Sequence, residues 1–381
     1  MMRTVLRTVV GLVVLLLIAI VALRLAFGGG ERLEDRTAAP ALPASALEVV
    51  ATLDFPPGNV AVSRTGRVFF TLHPDGNPPT KVHELIGGKP VPYPDAAFQQ
   101  PAPGTPHFQS ILSLRIDRQD RLWVLDYADY GRGQPRIAAF DLATNRLVHQ
   151  YDFPREVAGF LSMLNDFNVD ADGRTIYIAE SSPLRQSPAL VVYDIATRTS
   201  RRLLDGHDSV RAGPYVIHTP ERVMRLFGLL PLRIGVDSIA LDPAGEWLYY
   251  GPVTGDRLNR IRTSDLTDRT LDAAALAARV ETFAPKTLSD GITIDRDGTI
   301  YLSDMEHAAV VALGQDRKLR TLLKDARLRW PDGFSWGPEG WLYVTCSSLQ
   351  HVLFVSQAHM RAHAPYQIFR FKPGPMGVPG Q

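Results

Sequence analysis

Short apolar strands separated by turns recur six times along the chain. In each copy an apolar run leads into a turn that carries an acidic residue or a glycine, and a second strand with an aromatic residue follows. The turns fall at Ser63, Asp117, Asp170, Asp242, Asp295 and Gly337, which are 54, 53, 72, 53 and 42 residues apart. Strand–turn–strand repeats of about 40–55 residues are typical of β-propellers with one blade per repeat. The pattern therefore predicts an all-β fold, a single six-bladed β-propeller over residues 45–371.

The two ends of this region predict how the ring closes. Residues 47–53 read as a strand before the first repeat, and residues 366–371 alternate in the manner of a strand after the last. If the two strands pair, the ring has no open edge, whereas two unrelated edge strands are the alternative interpretation. Residues 372–381 are then a C-terminal tail.

One interval between repeats is longer than the others and predicts short inserted helices. Residues 219–228 offer a Thr cap, a Pro in the first turn and a stopping Gly, which favours a helix. A second helix is expected within residues 272–280, which are rich in Ala and Leu. Such helices either cover the channel mouth as a lid or pack on the flank of a blade.

The N-terminus predicts where the protein is located. Arg3 and Arg7 precede an apolar run over residues 9–27, which is about long enough to span a bilayer. The positive charges place that end in the cytoplasm and the rest outside it. Residues 1–27 are therefore a signal anchor or a cleaved signal peptide. We expect an extracytoplasmic (periplasmic or secreted) protein anchored to the inner membrane by residues 9–27, with residues 28–44 as a flexible linker.

Composition argues against nucleic acid as a partner and against a disulfide within the chain. The chain has 41 basic and 40 acidic residues and a net charge of +1, so it lacks the basic surface that nucleic-acid binding requires. The single cysteine, Cys346, excludes an intramolecular disulfide and is expected to be buried and unreactive.

Polar residues precede the first strand of four consecutive repeats. Five positions before the turn stand Asn165, Asp237, Asp290 and Asp332, whereas the first two repeats have Gly58-Asn59 and Leu112-Ser113 there. In a propeller these positions meet at one mouth of the central channel. Converging oxygen ligands suit Ca²⁺ or another hard divalent cation such as Mg²⁺. The alternative is that each side chain accepts hydrogen bonds from neighbouring turns and orders its strand.

The ends of the second strands add a further polar set on the same face. Its members are His73, Asp126, Glu180, Asp304, Glu306 and His307. They could surround a small-molecule ligand together with the four residues at the first strands, or they could be solvated or turn-forming residues. Histidines such as His307 and His351 are expected more often at surfaces or in packing than in catalysis.

Several stretches together resemble the yellow / major royal jelly protein family. They are residues 164–170, 235–241, 263–280, 289–292, 301–307 and 330–333. The resemblance covers most of residues 45–371. It implies an exported six-bladed propeller and, for some members, small-molecule binding, of biogenic amines for instance, or dopachrome-tautomerase-like activity.

The same Asn and Asp-Gly pattern is similar, more weakly, to the gluconolactonase and senescence-marker-protein family. That likeness implies a divalent cation held by a Glu, an Asn and an Asp at the starts of inner strands. Asn165 or Asp237 would match the Asn, and Asp290 or Asp332 the Asp. This chain departs from the pattern at Gly58-Asn59, where that family carries its Glu.

Three functions follow as hypotheses. The favoured one is an extracytoplasmic propeller that binds a small molecule at its channel mouth, with catalysis open. The second is a divalent-metal-dependent lactonase, and the third is a protein-binding scaffold, because function resides in the site and not in the fold. No Gly-x-Ser-x-Gly, His-Glu-x-x-His or dinucleotide-binding motif occurs in the sequence.

Overall fold

The computed structural model describes residues 2–100 and 107–381 and forms the predicted six-bladed propeller. Each blade is a four-stranded antiparallel sheet. Strand β1 (Glu48–Leu53) comes first in the chain. Blade 1 is formed by β2 (Pro57–Val62), β3 (Val68–Leu72), β4 (Val82–Ile86) and β5 (Lys89–Pro92). Blade 2 is formed by β6 (Ile111–Ile116), β7 (Arg121–Asp126), β8 (Arg136–Asp141) and β9 (Arg146–Asp152). Blade 3 is formed by β10 (Leu164–Val169), β11 (Thr175–Glu180), β12 (Ala189–Asp194) and β13 (Thr199–Leu203).

A two-stranded hairpin separates blades 3 and 4. It consists of β14 (Arg225–Leu226) and β15 (Leu230–Pro231). Blade 4 is formed by β16 (Val236–Leu241), β17 (Trp247–Pro252), β18 (Arg257–Arg262) and β19 (Glu281–Pro285). Blade 5 is formed by β20 (Ile292–Ile294), β21 (Ile300–Asp304), β22 (Ala309–Leu313) and β23 (Leu319–Lys324). Blade 6 is formed by β24 (Pro331–Trp336), β25 (Leu342–Cys346), β26 (Tyr366–Phe371) and β1.

The ring closes as the sequence predicts. β1 pairs antiparallel with β26, from Glu48 opposite Arg370 to Leu53 opposite Tyr366. Blade 6 thus takes its outermost strand from the start of the propeller and the other three from its end. This pairing satisfies edges that would otherwise be open.

The acidic turns explain why the repeat is visible in the sequence. Asp117 accepts hydrogen bonds from the backbone N–H groups of Gln119 and Arg121 at 3.0 and 2.9 Å, and from the Trp123 indole at 2.7 Å. Asp295 acts in the same way, accepting from the Thr299 N–H at 2.8 Å and from the Tyr301 hydroxyl at 2.9 Å. In these two blades the Asp closes the turn and also fixes an aromatic side chain of the next strand. Trp123 lies in one apolar cluster with Phe167 of blade 3.

The helices are few and short apart from the first. They are α1 (Met2–Phe27), α2 (Ala128–Gly131), α3 (Thr263–Thr267), α4 (Ala273–Ala277) and α5 (Gln357–Ala362). Turns of 3₁₀ helix lie at Ala44–Ala46, Pro74–Gly76, Ala97–Gln99, Pro338–Gly340 and Leu349–His351. Within α1, Val5–Phe27 is long and apolar enough to cross a membrane.

One of the two predicted inserted helices is present and the other is not. α4 lies within residues 272–280, and Asp272 caps it by accepting from the Ala275 N–H. Residues 219–228 instead form a tight turn followed by the β14–β15 hairpin. The Thr219 hydroxyl is bonded both to the N–H and to the carbonyl of Arg222, which closes a turn in place of capping a helix. The expected helix at 219–228 was therefore wrong.

Both terminal segments of the propeller chain contact it through backbone hydrogen bonds. Residues 28–44, expected as a flexible linker, form a strap on the face where the innermost strands begin, which we call the upper face. The backbone of Glu31 bonds with Pro214 and Val216, and that of Ala41 bonds with Thr321. At the opposite end of the channel, residues 372–381 bond to the bottoms of innermost strands, with the Gly380 carbonyl accepting from Ile116. The tail covers the lower end of the channel.

Candidate functional site

A cavity of about 840 Å³ lies at the upper mouth of the channel. Its base, which we call the acidic floor, carries the side chains of Asn59, Asn165, Asp166, Asp237, Asp290 and Asp332. Its walls are mostly apolar and include Leu112, Met163, Leu226, Leu230, Ile234, Leu349, Leu353 and Phe354. Asp75 and Arg233 also line it and contribute one charge of each sign. The structure thus gathers the four predicted residues of the first strands at one place.

Backbone irregularities aim these side chains at the axis. Five of the six innermost strands shift register near their upper end, for example between Leu164 and Phe167 in β10 and between Val236 and Ser238 in β16. A β-bulge of this kind turns consecutive side chains toward the same side. In β10 it allows both Asn165 and Asp166 to line the cavity.

Glycine after two of the acids permits close packing at the axis. A Cβ at Gly291 would lie 2.0 Å from the carbonyl oxygen of Asp332, and one at Gly333 would lie 2.5 Å from the Asn59 side-chain oxygen. Neither contact is sterically possible. The Asp-Gly pairs therefore set how near the innermost strands of blades 5, 6 and 1 approach one another.

Asp166 is the most heavily bonded member of the floor. It accepts from the Asn59 amide at 2.8 Å and the Ser113 hydroxyl at 2.9 Å. The guanidinium of Arg115, beneath the floor, lies 3.3 Å from its other oxygen and also donates to Asn59 at 2.7 Å. Only 3% of Arg115 is exposed, so this is a buried ion pair.

The other three carboxylates have neutral hydrogen-bond partners. The Asn165 amide donates to Asp237 at 2.6 Å. The Trp330 indole donates to Asp290 at 2.5 Å, and Ser347 bonds to Asp332. No described cation forms a salt bridge with any of the three, so Arg115 is the one positive charge paired directly with the floor in the part of the chain that the structure describes.

Burial and mutual repulsion disfavour ionisation of these acids. Burial raises the pKa of Asp237 well above its usual range, and the charges of Asp290 and Asp166 raise it further. The pKa of Asp332 rises for the same reasons. Burial also raises the pKa of Asp290 to about 6, although the Trp330 hydrogen bond opposes the rise. The floor therefore carries more carboxyl groups than its surroundings can hold as carboxylates.

Lys286 lies behind the floor without lining the cavity. Its ammonium donates to the Thr287 carbonyl at 3.1 Å and to the Ser289 hydroxyl at 3.2 Å. Burial lowers its pKa to about 7, and nearby Asp256 and Asp290 limit the fall. It offsets part of the charge of Asp290 through space.

The predicted residues at the ends of the second strands mostly lie away from the cavity. Glu180 is fully buried, bonded to Arg202 and to the Ser162 hydroxyl. Asp126 accepts from three backbone N–H groups and shapes a turn. His73 does line the cavity, and burial lowers its pKa.

Asp304, Glu306 and His307 contact other segments of the upper face. Asp304 bonds to His307 Nδ1 at 3.0 Å, and His307 Nε2 lies 3.4 Å from Asp35 of the strap. Glu306 accepts from the His218 N–H at 2.7 Å, and burial raises its pKa to about 7. These three residues join blade 5 to the strap and the insertion before blade 4.

Two residues of the acidic floor, Asn59 and Asp166, and Arg115 beneath it are not predicted from the sequence. Asn59 stands where the polar pattern of the first strands breaks. Arg115 had one usable signal, since it is a charged residue inside an apolar innermost strand. Asp166 had none, because neighbouring side chains of a regular strand point to opposite sides and only the bulge brings both inward.

The N-terminal helix contributes to the cavity wall. Leu23, Ala26 and Phe27, from the last turn of α1, are among the lining residues. Arg24 donates to the Leu229 carbonyl at 2.9 Å, and Arg225 donates to the Gly28 carbonyl at 2.6 Å. The helix therefore ends at the mouth of the cavity.

The donor set of the floor, carboxylate and amide oxygens, suits a hard cation such as Ca²⁺. Among the described residues, the floor contains no three carboxylates whose oxygens all lie within 4.8 Å of one another. A cation here would therefore need an amide oxygen of Asn59 or Asn165 among its ligands, or a movement of the carboxylates. The predicted Ca²⁺ site at Asn165, Asp237, Asp290 and Asp332 stays a prediction.

Comparison with solved structures supports the fold. The chain superposes on a luciferin-regenerating enzyme with a TM-score of 0.56 and 13% identity, covering 88% of this chain and 97% of that one. It superposes on a calcium-binding regucalcin from Agrobacterium tumefaciens with a TM-score of 0.55 and 15% identity, covering 87% of this chain and 95% of that one. For a gluconolactonase from Xanthomonas campestris the TM-score is 0.52 and the identity 13%, with 86% of this chain and 88% of that one covered. At these identities the likeness establishes the propeller fold alone.

Comparison with known sequences identifies the family. Major royal jelly protein 3 of Apis mellifera is 22% identical over 274 residues, which are 67% of this chain and 48% of the relative. Major royal jelly protein 1 of the same species is 26% identical over 249 residues, 60% of this chain and 54% of the relative. The chain thus spans about half the length of these relatives. Residues 109–344, well over half of the chain, match the family profile described as Major royal jelly protein. The chain belongs to the major royal jelly protein family.

Proposed function

We propose that this protein binds a small amphipathic organic cation, an amine with an apolar or aromatic body, at the acidic floor of the cavity. The observation that carries the proposal is the charge of the floor. Four carboxyl groups line it, and one guanidinium beneath it, that of Arg115, is directly paired. An ammonium group would supply the missing positive charge.

The electrostatics favour a cation over a neutral or acidic ligand. Burial, and repulsion among the acids, raise the pKa values of Asp237, Asp290 and Asp332, and none of the three has a described cation as a salt-bridge partner. A bound ammonium would lower those pKa values, so cation binding and carboxyl ionisation would support each other. An anionic ligand would meet repulsion instead.

The walls favour an apolar body on the ligand. The cavity volume of about 840 Å³ lies within the range of about 300–1,000 Å³ that is usual for small-molecule sites. Tyr130 and Phe354 offer aromatic faces, and Leu112, Met163 and Leu349 offer aliphatic surface. A simple hydrated metal ion would leave most of this surface unused.

We also propose that α1 is retained as a membrane anchor and that the propeller lies outside the cytoplasm. Support comes from the wall of the cavity, which would lose Leu23, Ala26 and Phe27 if the helix were cleaved as a signal peptide. A retained helix that ends at the mouth would hold the cavity close to the membrane surface. Intact-mass spectrometry of the protein from membranes tests this directly, since cleavage would remove the mass of residues 1 to about 27.

The binding proposal is tested by calorimetry on the full chain in lipid nanodiscs. We expect 2-phenylethylamine to bind with 1:1 stoichiometry and 3-phenylpropionate, of similar size and opposite charge, to give no binding heat. Asp237→Asn should weaken amine binding about 10–100-fold, the usual worth of a hydrogen bond to a charged group. Asp208→Asn is the matched control, because the Asp208 side chain is 96% exposed and distant from the floor. Equal binding of amine and acid, or an unchanged affinity in Asp237→Asn, would refute the proposal.

Catalysis forms no part of this proposal. The metal-dependent lactonase hypothesis requires a cation at the same floor, where no three described carboxylates have oxygens that all lie within 4.8 Å of one another, so an amide ligand or a rearrangement would be needed. Hydrolysis of lactones that EDTA abolishes and Ca²⁺ restores would favour that hypothesis over ours.

A further inference from the structure

A second cluster of chemically active side chains lies at the rim of the cavity. His351 ends the 3₁₀ turn Leu349–His351, His359 lies in α5, and His363 follows the end of α5. One ring nitrogen of each lies within 4.8 Å of one ring nitrogen of each of the others. Nδ1 of His351 and Nε2 of His359 are 3.2 Å apart. From the sequence, His351 is expected at a surface or in packing, and no link between the three histidines is predicted.

The spacing matches the ligand spacing of a transition metal. Two imidazole nitrogens bound to tetrahedral Zn²⁺ at 2.0–2.1 Å are about 3.4 Å apart. The His351–His359 pair is already near that separation. The ring of His363 stacks on those of His351 and His359, with centroids 3.9 and 4.1 Å apart. Its nitrogen lies within 4.8 Å of the other two, so the ring must turn within the cluster to face the same ion.

Hydrogen bonds on the outer side of the rings leave a free lone pair on one inner nitrogen of His351 and one of His363. His351 Nε2 is bonded to the Glu221 carboxylate, which makes Nε2 the protonated nitrogen and leaves the lone pair on Nδ1. His363 Nδ1 donates to the His359 carbonyl at 2.8 Å, which leaves the lone pair on Nε2. A metal-bound His almost always donates its other N–H to a carboxylate or a carbonyl in this way.

We propose that His351, His359 and His363 bind one divalent transition-metal ion, with Glu221 supporting His351 from outside. Three imidazoles suit borderline ions such as Zn²⁺, Ni²⁺ or Cu²⁺ and do not suit Ca²⁺ or Mg²⁺. The site is therefore distinct in chemistry from the acidic floor. It also differs in position, since none of the three histidines lines the cavity.

The ion would connect two segments that form the mouth. Glu221 belongs to the insertion before blade 4, whose Leu226 and Leu230 line the cavity, and the histidines flank Leu353 and Phe354 on the other side. The two segments already touch through Phe227 and Phe354, whose rings are 6.0 Å apart. Metal bound at the histidines would hold His351, and through it Glu221, so the rim would become more rigid.

The test uses the full chain in nanodiscs, purified without a histidine tag and freed of metal with EDTA. We expect one equivalent of Zn²⁺ to bind in a competition titration against a chromophoric chelator, and Co²⁺ to give the visible spectrum of a low-symmetry, nitrogen-ligated ion. Ca²⁺ should not compete. His359→Gln removes an exposed ligand without disturbing the core and should weaken Zn²⁺ binding at least 100-fold. Glu221→Gln should weaken it about 10–100-fold, as outer partners usually do.

Two comparisons make the result decisive. His207→Gln is the matched control, because His207 bonds only locally to Ser209 and belongs to a different part of the upper face. It should bind Zn²⁺ as the wild type does. His363→Gln provides a second ligand variant, and its circular dichroism verifies folding. Absence of stoichiometric Zn²⁺ binding by the wild type, or binding that survives in both His359→Gln and His363→Gln, would overturn the proposal and leave a hydrogen-bonded stack of rings.

Discussion

Replacing Asp290 by Asn should make the ligand-free protein more stable at neutral pH. Asp290 is 8% exposed and receives a hydrogen bond from the Trp330 indole. It belongs to a floor where Asp166, Asp237 and Asp332 are also acidic. An Asn keeps the shape and an oxygen for the indole N–H while it removes one charge. The substitution therefore isolates the cost of the charge.

The magnitude follows from the pKa. Asp in an unfolded chain titrates near 3.9, whereas Asp290 titrates at about 6 in the folded protein. The folded state binds the Asp290 proton more tightly than the unfolded state does. The contribution of Asp290 to stability is therefore greatest below pH 4 and falls as the pH rises from about 4 to about 6. Two pKa units correspond to about 3 kcal/mol of destabilisation above pH 6. The neighbouring carboxyls share protons with Asp290 and the new amide is itself buried, so we expect a net gain of about 1–2 kcal/mol.

The assay is thermal unfolding of the full chain in nanodiscs, with EDTA, at pH 7.5 and 4.5. A gain of 1–2 kcal/mol should raise the Tm by about 2–4 °C at pH 7.5. At pH 4.5 the folded wild-type carboxyl is protonated and only about a third of the charge cost remains, so the advantage of Asn should be much smaller. Asp208→Asn should have no effect at either pH, because Asp208 is exposed. A lower Tm for Asp290→Asn at pH 7.5 would refute the reasoning. If Ca²⁺ also raised the Tm of the wild type and not of the variant, the floor would be a cation site instead.

Three further predictions concern the same region. Gly291→Ala should destabilise the protein by about 1–3 kcal/mol in urea unfolding, because a Cβ there would lie 2.0 Å from the Asp332 carbonyl oxygen. An unchanged midpoint would mean that the innermost strands can separate without a cost in free energy. Arg115→Gln leaves Asp166 without its ion-pair partner and should lower the free energy of unfolding by about 3–5 kcal/mol. The control Arg132→Gln breaks an exposed pair and should change it by less than about 1 kcal/mol. Similar effects of the two substitutions would contradict the buried-pair assignment. Amine affinity should fall as the pH is lowered from 7.5 to 5, because the floor becomes protonated, and calorimetry that finds equal affinity at both pH values would exclude ionised carboxylates from binding.

The architecture was predictable because each blade repeats a strand, a tight turn and a second strand. In four blades an Asp closes the turn through backbone N–H groups, as Asp117 does, and in two it also bonds an aromatic residue of the next strand, so the repeat is visible in the sequence. Ring symmetry then places equivalent positions together, which is why Asn165 and Asp237 could be expected to meet. Their side chains are in fact bonded at 2.6 Å.

The positions of the other site residues depend on structural features that a single sequence does not reveal. Asp166 reaches the floor only because β10 is bulged, and bulges are set by packing between strands. Glu180 is turned away from the cavity by a pairing with Arg202, which stands on another strand of the same blade. The histidine cluster forms where the chain folds back between the 3₁₀ turn that ends at His351 and helix α5. The four-residue spacing of His359 and His363 is visible in the sequence, but the approach of His351 to them is not.

The helix expected at 219–228 failed for a related reason. Its cap, proline and glycine are equally compatible with a turn followed by a hairpin, and tertiary contacts decided between them. Arg222 and Arg225 each bond to carbonyls of distant segments, at Gln350 and Gly28. Those contacts require an extended insertion along the mouth, which a helix would not provide.

The central claim, that the acidic floor binds an organic cation, is tested most directly by a crystal structure of the full chain with 2-(4-bromophenyl)ethylamine. The anomalous signal of the bromine locates the ring independently of the rest of the ligand. Our account predicts the bromophenyl group among the apolar walls and the ammonium within hydrogen-bond distance of Asp237, Asp290 or Asp332. A ligand bound in the reverse orientation, with the ring on the floor and the ammonium at the mouth, or bound outside the cavity, would contradict it.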